Sequence, residues 1–102
     1  MSFTILQLGK TADLAPLVQA MGGKLLVADT LEQTLEILAA QNVVQAYIES
    51  SQDLGAYFTS LNGAKLTTPT IVFGPAQPVQ AAVKAIRLGA IEYLATPLEK
   101  NA

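Results

Sequence analysis

The hydrophobic period of this chain changes again and again, from short apolar runs to stripes spaced i, i+3, i+4 and i+7. Short runs suit strands buried on both faces, and the stripes suit helices that cover them. A chain that alternates the two builds stacked βα units around a parallel sheet. Phe3 to Leu8 reads as a first strand ending at Gly9, followed by a helical stripe of Leu14, Leu17, Val18 and Met21. Pro16 is tolerated there because it falls in the first turn, and Gly22-Gly23 supplies the stop.

Leu25 to Ala28 is a second strand, and Thr30-x-x-Gln33 has the form of a capping box for a helix carrying Leu31, Leu35 and Leu38. Val43 to Ile48 reads as strand three. Asp53 is placed to cap a helix with the stripe Leu54, Tyr57, Phe58 and Leu61, closed by Gly63. Thr70 to Phe73 follows as a fourth strand. Pro78 suits a helix start, and Val79, Ala82, Val83 and Ile86 form the fourth stripe, with Gly89 at its end. Ile91 to Ala95 makes the fifth strand before Thr96-Pro97.

Right-handed crossovers then put helices on both faces, and the ligand site of such a sheet lies outside the carboxyl ends of its strands. Those ends carry Gly9-Lys10-Thr11, Glu49-Ser50-Ser51, Gly74-Pro75-Ala76 and Thr96-Pro97. The chain has 102 residues, with no linker or repeat, so a single domain over 1–102 is expected. Gln7 stands out inside a central strand, where a buried amide requires hydrogen-bond partners.

Composition narrows the chemistry. With no His and no Cys there is no Ser-His-Asp or Cys-His system, no thiolate chemistry and no ordinary zinc site. The basic residues are few and scattered, without the clustered footprint that nucleic acid draws on. Charged residues make up 14% of the chain, against a usual share of roughly 25%. A surface so weakly charged suits a domain that works against a protein partner. No apolar run approaches the ~20 residues of a membrane span, and no signal peptide is recognisable, so a cytoplasmic protein is expected.

The stretch Ala82-Val83-Lys84-Ala85-Ile86-Arg87-Leu88-Gly89-Ala90-Ile91-Glu92-Tyr93-Leu94-Ala95-Thr96-Pro97 resembles the end of a receiver domain of bacterial two-component response regulators. With it in place, Pro69 to Phe73 resembles that family's fourth strand and Val43 to Glu49 its third. The resemblance implies a flavodoxin-like (CheY-like) three-layer α/β sandwich with a five-stranded parallel sheet in the order 2-1-3-4-5. It also implies a phosphorylation site made of two acids after strand one, an Asp after strand three, a Thr or Ser after strand four and a Lys before the last Pro. Acids of this kind hold Mg²⁺, which together with the Lys neutralises the phosphoryl group in transfer.

This chain departs from that pattern at each position. The acidic pair falls on Gly9 and Lys10, the acceptor on Glu49, the hydroxyl on Gly74 and the Lys on Thr96. A degenerate site of this kind implies a pseudo-receiver: no enzyme activity, no bound metal or cofactor, and regulation independent of phosphorylation. Lys10 and Glu49, at adjacent strand ends, are candidates for an ion pair in which the ammonium stands in for Mg²⁺. Tyr93 takes the position of the family's aromatic switch, here without a partner hydroxyl, which makes it a packing residue or an interface anchor. Thr96-Pro97 resembles the family's cis peptide.

Two enzyme readings compete. Gly9-Lys10-Thr11 echoes the tail of a P-loop, but Thr4 stands where its first Gly is needed, and the phosphate cradle cannot form without it. A flavodoxin-like flavin site shares the topology, but Gly9-Lys10-Thr11 is short for its phosphate loop, and Tyr57 and Phe58 are accounted for by the helical stripe.

After Pro97 only Leu98 to Ala102 remain, where the family carries a fifth helix. An uncovered sheet face is therefore expected, closed by more chain, a partner or a second copy; the expectation is an N-terminal fragment that dimerises. The usual partner surface of the family corresponds to the fourth helix and fifth strand, with Lys84, Arg87, Glu92 and Tyr93. A narrower resemblance, through Ile5 to Lys10 and the missing acids, is to the N-terminal receivers of sigma-54-dependent flagellar transcription activators.

Overall fold

The computed structural model describes residues 3–9, 14–75 and 79–96. Its strands are β1 (Thr4–Leu8), β2 (Lys24–Ala28), β3 (Val43–Glu49), β4 (Thr70–Pro75) and β5 (Glu92–Thr96). The helices are α1 (Ala15–Ala20), α2 (Leu31–Ala40), α3 (Leu54–Gly63) and α4 (Val79–Leu88). All neighbouring strands pair in parallel, in the order β2-β1-β3-β4-β5, which is the doubly wound arrangement expected.

Local chemistry explains the helix starts. Thr30 Oγ1 accepts from Gln33 N at 3.1 Å, and Gln33 Oε1 accepts in return from the N–H of Asp29 at 2.8 Å. The return bond reaches one residue further out than the usual capping box. Asp53 caps α3 by accepting from Ala56 N at 3.0 Å. The ends are less simple: α3 includes Gly63, and the left-handed residue that ends it is Lys65, at φ 59°.

Alternation along the strands feeds two cores. Leu6, Leu8, Ala46, Ile48 and Val72 face α2, α3 and α4 and pack on Leu38, Leu54, Tyr57, Phe58, Leu61 and Ala85. Ile5 faces the other way, onto Leu14 and Val18. The α3 stripe is buried throughout, as its spacing predicts.

Two predicted stripes are only partly buried. In α1, Leu14 and Val18 are covered while Leu17 and Met21 lie open. In α4 the buried contact is Ala85, and Val79, Val83 and Ile86 are 60%, 46% and 46% exposed. Ala85 and Leu88 of α4 pack inward while Val79, Val83 and Ile86 are left outside, which periodicity alone does not distinguish.

The described residues of the sheet face expected to lie open are unevenly covered. By register Tyr47, Ile71 and Phe73 share the face of Ile5, yet Ile71 and Phe73 are buried. Among the described residues Val27 of β2, on the same face by register, is exposed, and this face leaves open a cleft of about 220 Å³ with Leu17, Met21 and Val44 exposed on its rim. Val44 reaches it because β3 bulges opposite Thr4 and Ile5.

Tyr57 is wholly buried, and its hydroxyl lies 2.9 Å from Thr70 Oγ1. Burial raises its pKa, with the Thr70 hydrogen bond acting in the opposite direction. The unfolded chain then loses this proton at lower pH than the folded one, so stability is full below pH ~10 and falls as pH rises above it. Tyr57→Phe should flatten that alkaline fall in urea titrations run between neutral pH and pH ~11.

Candidate functional site

At the carboxyl edge of the sheet, β1, β3 and β4 bring Gly9, Glu49 and Gly74 together as the sequence predicts. Gly9 has φ 108°, outside the range that L side chains readily adopt. It also faces Glu49: a Cβ at residue 9 would collide with Glu49 Cβ and lie 3.1 Å from Oε2. The Glu49 side chain therefore lies across the glycine, and its Oε1 accepts from Ser51 Oγ at 2.5 Å. Beneath, Gln7 Nε2 donates to the Gly9 carbonyl at 2.7 Å, which identifies a partner for that buried amide.

Gly74 has the same character. A Cβ there would strike Ser50 Oγ and lie 2.6 Å from the Tyr93 hydroxyl. Ser50 is tied to β4 by its N–H, which donates to the Phe73 carbonyl at 2.7 Å. Tyr93 is half-buried against the larger core, and its hydroxyl donates to the Pro75 carbonyl at 2.8 Å. Neither Ser50 nor the Pro75 carbonyl stood out in the sequence. Ser50 is one of two adjacent serines, and the carbonyl leaves no trace in residue type.

Of the other predicted residues, Lys10 and Pro97 lie outside the described residues, and with them the Lys10–Glu49 pair and the cis peptide. Thr96 closes β5, its backbone in register with Pro75. Lys84 and Arg87 are exposed on α4, and Glu92 is exposed on β5. Lys84 also borders a gap of about 350 Å³ between α4 and the β3–α3 turn, with Ser50 and Asp53 on its far wall.

Mg²⁺ wants several hard oxygen ligands in near-octahedral order. Among the described residues no three acidic side chains come together. At this edge two of the predicted positions are glycines and the one described carboxylate accepts from Ser51. The described residues at this edge do not fit the ion.

No family model matches the chain, and no curated protein matches it. Solved structures do resemble it. NtrX from Brucella abortus superposes with a TM-score of 0.81 at 18% identity, over 97% of this chain and 25% of that one. The chain thus spans about a quarter of NtrX's length. A two-component response regulator from Clostridium difficile gives 0.78 at 17% identity, over 95% of this chain and 85% of that one. The regulatory domain of the repressor of iron transport regulator (RitR), in its inactive form, gives 0.78 at 13% identity, covering 95% and 85%. With the strand order and the crossovers, these likenesses identify the fold of this chain as that of the receiver domains of response regulators.

Proposed function

We propose that this chain is a pseudo-receiver: a regulatory domain that works without phosphotransfer and acts through protein contacts made by α4 and β5. The observation that carries the reading is the filled carboxyl edge, where Glu49 lies across Gly9 and Ser50 and Tyr93 close over Gly74. A phosphorylation site needs open space and converging charge at that edge, and among the described residues neutral groups and the Glu49 carboxylate take the space.

The docking face is argued from α4. Val79, Val83 and Ile86 form an exposed apolar stripe, and Gln80, Lys84 and Arg87 run beside it. An apolar strip rimmed by charge is the usual character of a protein contact. Glu92 on β5 adds the opposite charge, so both electrostatic signs are available to a partner, a second copy of the chain included. A role in transcription regulation draws on the likeness to the domains of NtrX and RitR and has no support from the site itself.

The test is an amide spectrum of the ¹⁵N-labelled chain with and without Mg²⁺ and beryllofluoride, a mimic of a phosphorylated acid. We expect no saturable shift at Gly9, Glu49, Ser50, Gly74 or Tyr93. Concerted, saturating shifts there would mean that the site still binds phosphate-like ligands, and the pseudo-receiver reading would fall.

A further inference from the structure

We infer that β2, the outer strand of the sheet, is the pairing edge for a second copy of this chain, joined antiparallel about Leu26. No strand lies beyond β2 among the described residues. Such an edge presents N–H and C=O groups ready to pair, and proteins usually blunt it with charge, Pro or a bulge. Here the strand is Lys24-Leu25-Leu26-Val27-Ala28, with its single charge at one end and an unbroken register to β1. Val27, near the middle of the strand, is 44% exposed.

The direction of the backbone groups fixes how a copy can add. The Lys24 N–H donates inward, to the Phe3 carbonyl at the start of β1, at 2.7 Å. Peptide groups alternate sides along a strand, so Leu25 and Val27 turn theirs outward. An antiparallel copy centred on Leu26 sets Leu25 opposite Val27 of the partner copy, and Val27 opposite its Leu25. Each of these pairs exchanges two N–H···O bonds, which uses every outward group of the two residues. Leu25 and Val27 share the face of Ile5 by register, so the same pairing gathers two leucines and two valines in one row and covers Val27.

Charge selects the same direction. Lys24 is exposed at the amino end of β2, and Asp29 and Glu32 are exposed just past its carboxyl end. Antiparallel pairing brings the cation of each copy to the acidic end of the other, at both ends of the contact. Parallel pairing sets like ends together, which is unfavourable. At the opposite edge, β5 carries Glu92 and no cation, so pairing it with its own copy gains no such match. The resulting contact is isologous and small, so the dimer forms with rising concentration.

The test is the oligomeric state and its register. Sedimentation of the full chain between about 1 µM and 1 mM should show the mass rising toward that of a dimer. Val27→Pro removes one outward N–H from each copy, at an edge position where the sheet itself does not use it. It should raise the dissociation constant at least about tenfold, with the circular dichroism of the parent retained. The chain has no cysteine, so single cysteines read the register directly. Leu26→Cys places two thiols across the axis with Cα atoms about 4.5 Å apart, within disulfide reach. Val27→Cys sets them roughly 8 Å apart, beyond that reach, although Val27 is the more exposed residue. Under mild oxidation Leu26→Cys should cross-link at least about tenfold faster than Val27→Cys. Should Val27→Pro not fold, the two cysteine variants decide. A parent that stays monomeric at about 1 mM, a dimer indifferent to Val27→Pro, or equal cross-linking by both cysteines would overturn the pairing. So would a parent that gains mass only with an added extended peptide, which would assign the edge to a different partner. Failure here leaves the pseudo-receiver reading standing, since that reading is carried by the carboxyl edge and α4, and saturating beryllofluoride shifts would leave the β2 pairing standing.

Discussion

Gly9→Ala should cost the domain about 3 kcal/mol or more, of which backbone strain supplies roughly 1–3 kcal/mol. The residue sits at φ 108°, so any L side chain there is strained wherever its atoms point. Steric conflict adds to this, because the new methyl would meet Glu49 Cβ. A carboxylate can swing aside, but a Cβ is fixed to its backbone, and β3 is held between β1 and β4. A third contribution comes from Gln7, whose buried amide donates to the Gly9 carbonyl. Moving that carbonyl weakens this hydrogen bond, whose net contribution is about 0.5–1.5 kcal/mol. For a domain of this size the combined loss corresponds to a fall in Tm of roughly 10–20 °C, readable by far-UV circular dichroism. Glu49→Gly in the same chain removes the steric part and leaves the strain, so it should recover only part of the loss. A penalty below about 1 kcal/mol for Gly9→Ala would mean that Glu49 does not rest on this glycine.

The order of strands and helices was readable from period alone, since each buried element must repeat its apolar positions at 2 or 3.6 residues. Thr30 and Asp53 were readable for a different reason: a short acceptor before an apolar stripe has few other uses. The degenerate site was half readable. Gly9, Glu49 and Gly74 were located by their places at strand ends, but residue type says nothing of what fills a glycine's missing volume. That the fillers are Glu49, Ser50 and the Tyr93 hydroxyl depends on register between strands, which a single sequence does not carry. The same gap explains α4. A stripe of Val79, Val83 and Ile86 reads as core by its spacing, whereas the helix packs through Ala85 and Leu88 and leaves that stripe outside. Here the tertiary context favoured a close helix-to-sheet approach, and the surplus apolar surface became the candidate docking face.

The filled edge and the exposed α4 stripe fit together physically. Phosphate-dependent regulation needs a polar cavity whose occupancy changes. Among the described residues, Glu49, Ser50 and Tyr93 take up the space beside Gly9 and Gly74, and the Glu49 and Tyr93 side chains make hydrogen bonds within the fold. On the proposed reading, regulation acts through contacts that another chain makes with α4 and β5.

Phe73→Ala is expected to be the most damaging truncation in the sheet, at about 3–5 kcal/mol. Its side chain is wholly buried on the face that also carries Ile5, Tyr47 and Ile71, the face predicted to lie open. An open face and a covered one differ sharply in what this substitution does. A phenyl ring already in water loses little when removed, whereas a buried one gives up its transfer energy and leaves a cavity that the sheet backbone cannot close. Val44 supplies the internal comparison, since it lies on the rim of the neighbouring cleft at 43% exposure. Val44→Ala should cost less than 1 kcal/mol, within the range of partly exposed truncations. Urea unfolding of the two variants beside the parent measures both costs, with equal slopes confirming that only stability has changed. A large cost for Phe73→Ala with a small one for Val44→Ala means that this face is covered over β4 and open beside α1. Small costs at both would extend the opening across β4 and make this face, rather than α4, the larger apolar surface awaiting a partner.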